Sequence, residues 1–243
     1  MEVKSIILIV IIIVLLIIVI RYIMSDVNTL SVLTSAQTMQ TFLPSDLASS
    51  SSGNTSNFTY SIWFYIDDWN YRYSEPKIIF GRMTTGTGKK EPCPSVTLGP
   101  VQNNIIVSLA VYPGLDEQPE DGSTFIVHSC GISNVPIQRW CNLLMSVYGR
   151  TLDLYLDGKL VRTCVLPGVA KIDPNAPIYV TPMGGFSGWT SRFQYWSDSS
   201  NPQQAWNIYK AGYGGSLLGS IFGKYTVKVS LMEGDSEDTT FSF

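Results

Sequence analysis

The sequence predicts an all-β sandwich or jelly roll with one short C-terminal helix, preceded by an N-terminal transmembrane helix. Short strand patterns recur about every ten residues between clusters of Pro, Gly and Asp, as they do in β-sandwiches. A Pro-led helical pattern follows the last of these strands, and an apolar run opens the chain. About 220 of the 243 residues follow that run, which is enough for one domain with a substantial core and too few for two.

The amino-terminal run from Ile6 to Ile20 contains only Ile, Leu and Val. Counted from Val3 to Ile20, the segment has about eighteen residues, which as a helix rise roughly 27 Å and span nearly the whole hydrocarbon core of a bilayer. A signal peptide has a shorter apolar region, and a strand of this length would leave backbone groups unpaired in lipid. We therefore predict a membrane anchor at residues 1–24, with Ile6, Ile13 and Ile20 in the lipid. Charges on the two sides nearly balance, so the orientation stays open.

The segment after the anchor, residues 25–57, is rich in Ser, Thr, Asn and Gln. This composition predicts a flexible tether. The net charge of −3 includes four acidic residues near the C-terminus, so the rest of the chain is nearly neutral. No basic face is expected, and a nucleic-acid partner is therefore excluded.

The predicted sandwich occupies residues 58–212. Phe58 to Ile66 alternates apolar and polar or smaller residues, which is the period of a half-buried strand. Leu152 to Cys164 places two strand patterns around Asp157-Gly158, a dipeptide typical of type I′ hairpins because both central positions take φ above zero. Further strands are predicted at Lys77–Phe80, Ile105–Val111, Thr124–His128, Asn142–Tyr148, Ile178–Val180 and Arg192–Trp196.

The end of the chain is predicted to contain one short helix and one further strand. Asn201 suits the helix cap, Pro202 suits the first helical position, and Gly212 ends the pattern. Residues 213–243 form a C-terminal strand and an acidic tail. We expect residues 224–243 either to extend the sandwich's own sheet or to pair with the sheet edge of a neighbouring subunit.

The four cysteines all lie in the predicted sandwich, at Cys93, Cys130, Cys141 and Cys164. They can form up to two disulfides in three pairings, or remain reduced core residues, and the sequence does not decide between these states. No Cys-x-x-Cys pair is present, and the single histidine, His128, lies in an apolar strand pattern. A structural zinc site is therefore not expected.

Several segments resemble those of a known superfamily in their residues and in their order along the chain. These segments are FTYSIWFYIDDW (58–69), IQRWCNLLMSVY (137–148), LDLYLDGKLV, and RFQYWSDSSNPQQAWNIY (192–209). Over residues 58–210 the chain resembles the laminin-G-like branch of the concanavalin A-like lectin/glucanase superfamily. With its anchor and the wording SVYGRTLDLYLDGKLVRTCVLPG, it more narrowly resembles concanavalin A-like proteins of nucleocytoplasmic large DNA viruses. The resemblance implies a concanavalin A-like jelly-roll sandwich.

The superfamily also contains glycoside hydrolases that carry an E-x-D-x-E pattern on one strand. Glu233, Asp235 and Glu237 have this spacing, and alternate positions of one strand share a face. However, Gly and Ser separate these acids within an acidic tail, whereas a working pair needs rigid surroundings. We expect a solvated acidic segment, and we predict no catalytic residue, no cofactor and no metal ligand.

Exposed aromatic residues are the remaining candidates for a contact site. Trp69, Tyr71 and Tyr73 follow one another in DDWNYRY, and Trp189 lies in a Gly-rich turn. Such rings stack on sugars and also contact proteins. We name these four residues as a candidate glycan or protein contact.

The resemblance implies a non-enzymatic structural role in a virus particle. The protein is expected to link the internal membrane, through residues 1–24, to major and minor capsid proteins as a minor capsid component. Its expected location is the virion, beneath the capsid, and the host membrane during assembly. The alternative is a membrane-tethered, lectin-like module that binds glycans, and the third interpretation is a glycoside hydrolase.

Overall fold

Two six-stranded antiparallel sheets lie face to face in the structure, a computed structural model. It describes residues 12, 15, 16, 28–47, 56–83, 91–114, 119, 122–214, 228–233 and 236–242. The strands are β1 (Thr34–Ser35), β2 (Gln40–Phe42), β3 (Phe58–Asp68), β4 (Lys77–Met83), β5 (Pro92–Leu98), β6 (Ile105–Val111), β7 (Ile126–Ile132), β8 (Trp140–Tyr148), β9 (Thr151–Leu156), β10 (Lys159–Val165), β11 (Ile178–Val180), β12 (Ser187–Trp196), β13 (Lys228–Glu233) and β14 (Ser236–Ser242). The helix α1 is Pro202–Lys210, and short 3-10 turns lie at Pro44–Asp46 and Pro182–Gly184.

The first sheet has the order β1-β12-β3-β8-β9-β10, and the second has the order β2-β11-β4-β5-β6-β7. Apolar side chains from both sheets fill the space between them, and alternate residues of β3 from Phe58 to Ile66 belong to this core. Of the residues between them, all but Tyr65 are also buried. The rings of Tyr60, Phe80 and Phe193 meet there, with centroids 5.0 to 5.9 Å apart. The all-β sandwich with one short helix, predicted from the sequence, is confirmed.

The predicted hairpin and helix form as their local signals require. β9 and β10 pair across Asp157-Gly158, where φ is 52° and 73°. The Asn201 side chain accepts a hydrogen bond from the backbone N–H of Gln204 at 2.8 Å, which caps α1. Helix α1 buries Ala205 and Ile208 on the outer face of the first sheet.

Part of the Ser/Thr-rich segment differs from the predicted tether. Residues 28–47 run along the edge of the sandwich, first on β12 and then on β11. The backbone N–H of Leu30 donates to the Phe193 carbonyl at 2.7 Å, and that of Tyr195 donates to the Asn28 carbonyl at 3.1 Å. Composition misleads here because short edge strands need backbone partners rather than apolar side chains. The predicted tether of residues 25–57 thus contains β1 and β2.

The predicted membrane anchor lies almost entirely outside the described residues. Of residues 1–24, the structure describes Ile12, Leu15 and Leu16, which are helical with exposed side chains. Within the described residues, no helix has both the length and the apolar character needed to cross a bilayer. The anchor, including Ile6, Ile13 and Ile20, therefore stays a prediction.

The C-terminal strands pair with each other as a separate two-stranded sheet, β13-β14. Glu233 lies opposite Ser236, and Met232 lies opposite Glu237, so the two strands of this pair divide the E-x-D-x-E pattern. Glu233 and Glu237 therefore lie on different strands, which agrees with the expectation that this pattern is not a catalytic strand. Residues 236–242 of the predicted acidic tail form a strand.

One disulfide, Cys130–Cys164, joins β7 to β10, the outermost strands of the two sheets at the same edge of the sandwich. Cys93 and Cys141 are free and buried. Burial raises the pKa of the Cys141 thiol to about 11, so this thiol stays protonated and unreactive near neutral pH. The structure thus selects one pairing from the alternatives that the sequence leaves open.

Removing this disulfide is expected to lower the free energy of unfolding by about 3 to 4 kcal/mol, because the bond closes a loop across a sequence separation of 34 residues. The measurement is urea unfolding of the Cys130→Ser/Cys164→Ser variant, with tryptophan fluorescence as the signal. Reductant should destabilise the unmodified chain by a similar amount and leave the variant unchanged. An unchanged unfolding midpoint in the variant would contradict the assigned bond.

Candidate functional site

An open cleft of about 560 Å³ lies at the end of the sandwich where three loops meet. These loops follow β3, join β5 to β6, and join β7 to β8. The cleft is lined by Trp69, Val101, Gln102, Asn103, Asn104, Ser133, Asn134 and Ile137. None of these side chains titrates or carries a charge, and four are primary amides. The cleft therefore combines one large ring with several hydrogen-bonding groups and no acid or base.

Trp69 is held in place at both its edge and its ring face. Its indole N–H donates to the Val101 carbonyl at 3.1 Å, and the ring packs against the core. The Lys77 ammonium lies 4.8 Å from the ring centroid and has no hydrogen-bond partner among the described residues. Burial lowers the pKa of Lys77, and the ring's negative face stabilises the charged form. Trp69 is thus a fixed wall of the cleft.

Backbone and amide contacts join the loops to one another. The Val135 N–H donates to the Asn103 carbonyl at 2.7 Å, and the Asn103 side-chain amide donates to the Val135 carbonyl at 3.1 Å. The Ser74 N–H donates to the Pro100 carbonyl at 3.1 Å, which ties in the loop after β3. Because each loop is tied to another, the cleft is preformed.

Asn104 lines the cleft, and its side-chain oxygen faces Gly99. Its Oδ1 atom is buried and has no hydrogen-bond partner within the described part of the chain. A Cβ atom at Gly99 would lie 1.8 Å from this oxygen, so only glycine leaves room for it. A buried acceptor without a donor costs about 1–3 kcal/mol, and this oxygen, which is buried against Gly99, is not open to a ligand in the cleft.

Comparison with solved structures bears on the fold. The receptor-binding domain of botulinum neurotoxin D is 13% identical in sequence, with 74% of this chain and 43% of that chain covered and a TM-score of 0.52. The binding domain of botulinum neurotoxin DC, solved with SialylT and with rat synaptotagmin II, gives 14% identity and a TM-score of 0.48 in each complex. Those alignments cover 65% and 64% of this chain, and 36% and 35% of the toxin chains.

The chain has a concanavalin A-like jelly-roll fold. It spans between 35% and 43% of the length of these three structures, and at such low identity the likeness concerns the fold alone. No protein-family model and no curated protein matches the sequence. The virus-particle role rests on the resemblance of sequence segments and stays a prediction.

The four aromatic residues named from the sequence lie at different places on the jelly-roll sandwich. Trp69 lines the cleft. The Tyr71 hydroxyl donates to the Gly184 carbonyl at 3.1 Å, and Tyr73 is more than half exposed. Trp189 is half exposed on β12, where its backbone lies between Ser35 and Tyr65. The cleft is therefore built on Trp69 and the amides rather than on an aromatic cluster.

Sequence reasoning missed the amides that line the cleft. Gln102, Asn103 and Asn104 follow Gly99-Pro100, and Asn134 follows the next edge strand. Asn and Gly are common in turns because of their own backbone preferences. Their presence in the sequence therefore indicates a loop and does not by itself indicate a binding site. The signal that could have found them is the recurrence of amides in two loops that meet at one end of the sandwich. Within the described residues, no group of three or more His, Cys, Asp or Glu could hold a metal ion.

Proposed function

We propose that this protein is a non-enzymatic glycan-binding module held at a membrane by its amino-terminal segment. The observation that carries the proposal is the cleft, in which Trp69 and four amides surround a preformed space without charge. A sugar ring has an apolar face that stacks on an aromatic ring and hydroxyl groups that pair with amides.

The chemistry of the lining points to an uncharged oligosaccharide. The lining holds no cation for a carboxylate or sulfate group and no carboxylate for an amino sugar. The volume of about 560 Å³ lies within the range of small-ligand pockets. Because no charged group lines the cleft, binding is expected to depend little on salt.

The same lining supports a binding role rather than hydrolysis. Glycoside hydrolysis uses a pair of carboxylates, one as acid and the other as base or nucleophile. The cleft contains no carboxylate, and the two strands of the β13-β14 pair divide the acidic pattern that includes Glu233 and Glu237. We therefore propose that the sandwich holds its ligand without cleaving it.

The membrane anchor and the compartment belong to the same proposal. Residues 1–24 would cross the bilayer, with Ile6, Ile13 and Ile20 in the lipid. The Cys130–Cys164 disulfide supports an oxidising compartment, and we propose that the sandwich lies on the extracellular or lumenal side. Glycans are displayed on that side. The botulinum neurotoxin D domain of the same fold is a receptor-binding domain, and the shared fold is compatible with a binding role here.

A second candidate function is the structural role in a large DNA virus. The observation in its favour is the resemblance carried by SVYGRTLDLYLDGKLVRTCVLPG together with the anchor. The protein would then link an internal membrane to major and minor capsid proteins of the virion. In purified particles, this role requires stoichiometric amounts of the protein, released only when both membrane and shell are disrupted.

The proposal is tested by a glycan array probed with the full chain in neutral detergent. We expect binding to uncharged oligosaccharides that survives a high-salt wash and is lost in the Trp69→Ala variant. Asn134→Ala serves as a second cleft variant that leaves the core contacts of Trp69 in place. Binding confined to sialylated or sulfated glycans, or no binding to any glycan, would contradict the proposal.

A further inference from the structure

One edge of the sandwich carries a row of exposed apolar side chains. This edge, which we call the amino-terminal edge, consists of residues 28–43 and the neighbouring residues 181–189. Its exposed apolar residues are Val32, Leu33, Met39, Leu43, Met183 and Trp189. The exposed fractions of Val32 and Met183 are 75% and 77%, so these side chains project into the surroundings. An edge of this kind on a folded domain marks a contact surface.

The row is continuous because the chain crosses from one sheet to the other along this edge. Ser35 in β1 lies beside Trp189 in the first sheet, while β2 pairs with β11 in the second sheet. Between them, the Phe186 N–H donates to the Ala36 carbonyl at 3.2 Å, and the Thr181 hydroxyl donates to the Thr38 carbonyl at 2.8 Å. The crossover therefore keeps the segments that carry the exposed side chains together along this edge.

The residues of the amino-terminal edge are themselves uncharged, and a charged side chain that contacts them, Arg72, donates to the Met183 carbonyl and pairs with Glu75. Residues 28–45 contain no Asp, Glu, Lys, Arg or His, and residues 176–191 contain none. The opposite edge differs, because β10 carries Lys159 and Arg162 beside its exposed apolar residues. A surface that attracts anionic lipids or acidic proteins would need basic residues. The amino-terminal edge instead suits a partner that offers apolar contact without charge.

The position of the edge along the chain identifies that partner. The apolar run ends at Ile20, and the described chain resumes at Asn28, whose carbonyl is already bonded to Tyr195 on β12. Eight residue steps span at most about 26 to 29 Å. The tether is therefore much shorter than the composition suggests, and the edge that receives it cannot lie far from the membrane surface.

We infer that the sandwich rests on the bilayer by its amino-terminal edge, with Met183, Val32 and Trp189 in the lipid interface. The inference rests on the membrane anchor of the proposed function and is independent of the ligand of the cleft. Tryptophan suits this depth because its ring is apolar and its N–H is polar. The anchor and the edge would together hold the sandwich in one orientation, and contact should be as strong on zwitterionic lipid as on anionic lipid.

The test places spin labels on the full chain in nanodiscs of phosphatidylcholine. Met183→Cys and Val32→Cys report on the edge, and Val165→Cys, at a residue 71% exposed on β10, is the matched control. The free native cysteines, Cys93 and Cys141, are buried and should not take the label. The measurement is the ratio of collision rates with oxygen, which enters lipid, to those with a nickel chelate, which stays in water.

We expect the ratio at Met183→Cys and Val32→Cys to exceed that at Val165→Cys by about threefold or more. The difference should persist in about 0.5 M NaCl, because no charge contributes to the contact. Recovery of the chain in nanodiscs with all three labels in water would overturn the inference and leave the anchor and the cleft intact. Failure of the chain to enter nanodiscs would overturn the anchor, and the inference with it. A spectrum of the Met183→Cys label that is broadened by a nearby spin, and that sharpens when unlabelled chain is mixed in, would show that a second copy of the chain covers the edge. This result would also overturn the inference.

Discussion

Replacing Trp69 by alanine is expected to weaken oligosaccharide binding at least about tenfold, which is about 1.4 kcal/mol of binding free energy. The ring supplies the apolar wall of the cleft, and aromatic contacts contribute about 0.5–1.5 kcal/mol beyond the burial of their area. The variant also removes the indole N–H that bonds to the Val101 carbonyl, so a contact between two loops of the cleft is lost as well. The measurement is isothermal titration with an oligosaccharide selected on the array.

Two control variants distinguish the loss of the binding site from unfolding of the sandwich. Trp69→Phe keeps an aromatic face and should retain much of the affinity. Trp189→Ala removes a half-exposed tryptophan that does not line the cleft and should leave the affinity unchanged. A Trp69→Ala variant that binds as tightly as the unmodified chain, or a loss of binding in Trp189→Ala, would contradict the assigned site.

Replacing Arg82 by methionine is expected to lower the free energy of unfolding by about 3 to 5 kcal/mol. Arg82 is buried, and its guanidinium donates to the Ala176 carbonyl at 2.9 Å and to the Pro174 carbonyl at 3.0 Å. It also donates to the hydroxyl of Tyr60, whose pKa burial raises. Methionine fills a similar volume but leaves these three acceptors without their donor, and each orphaned group costs about 1–3 kcal/mol.

The measurement for Arg82→Met is urea unfolding near neutral pH. The free energy of unfolding must fall with urea concentration at the same slope in the variant and in the unmodified chain. Arg162→Met is the matched control, because Arg162 is exposed on β10, and its loss should change stability by less than about 0.5 kcal/mol. Equal stability of Arg82→Met and the unmodified chain would show that the guanidinium does not hold the segment before β11 in place.

The sequence predicts best where a local signal leaves few alternatives. The Asp157-Gly158 turn and the Asn201-Pro202 start of the helix both form as predicted, since each depends on backbone preferences of two or three residues. β5 is missed because its first residue is Pro92 and Pro94 follows, and proline argues against a strand. β1 and β2 are missed because they contain two and three mostly polar residues and exist only through pairing with distant strands.

The site and the disulfide depend on long-range neighbours that a linear pattern does not contain. Trp69 is singled out by residue type, but its partners in the cleft come from loops more than 30 residues away, at Val101 and Asn134. Likewise, Cys130 and Cys164 become partners only because β7 and β10 end their sheets at the same edge. Spacing alone leaves three pairings open.

The most direct test of the glycan-binding cleft is an NMR titration of the full chain in detergent with an uncharged oligosaccharide. The account predicts saturable shifts of the Trp69 indole N–H and of the side-chain amides of Gln102, Asn104 and Asn134, with the Trp189 indole unchanged. Shifts centred on Trp189, or no saturable shift with any oligosaccharide that the array selects, would contradict it.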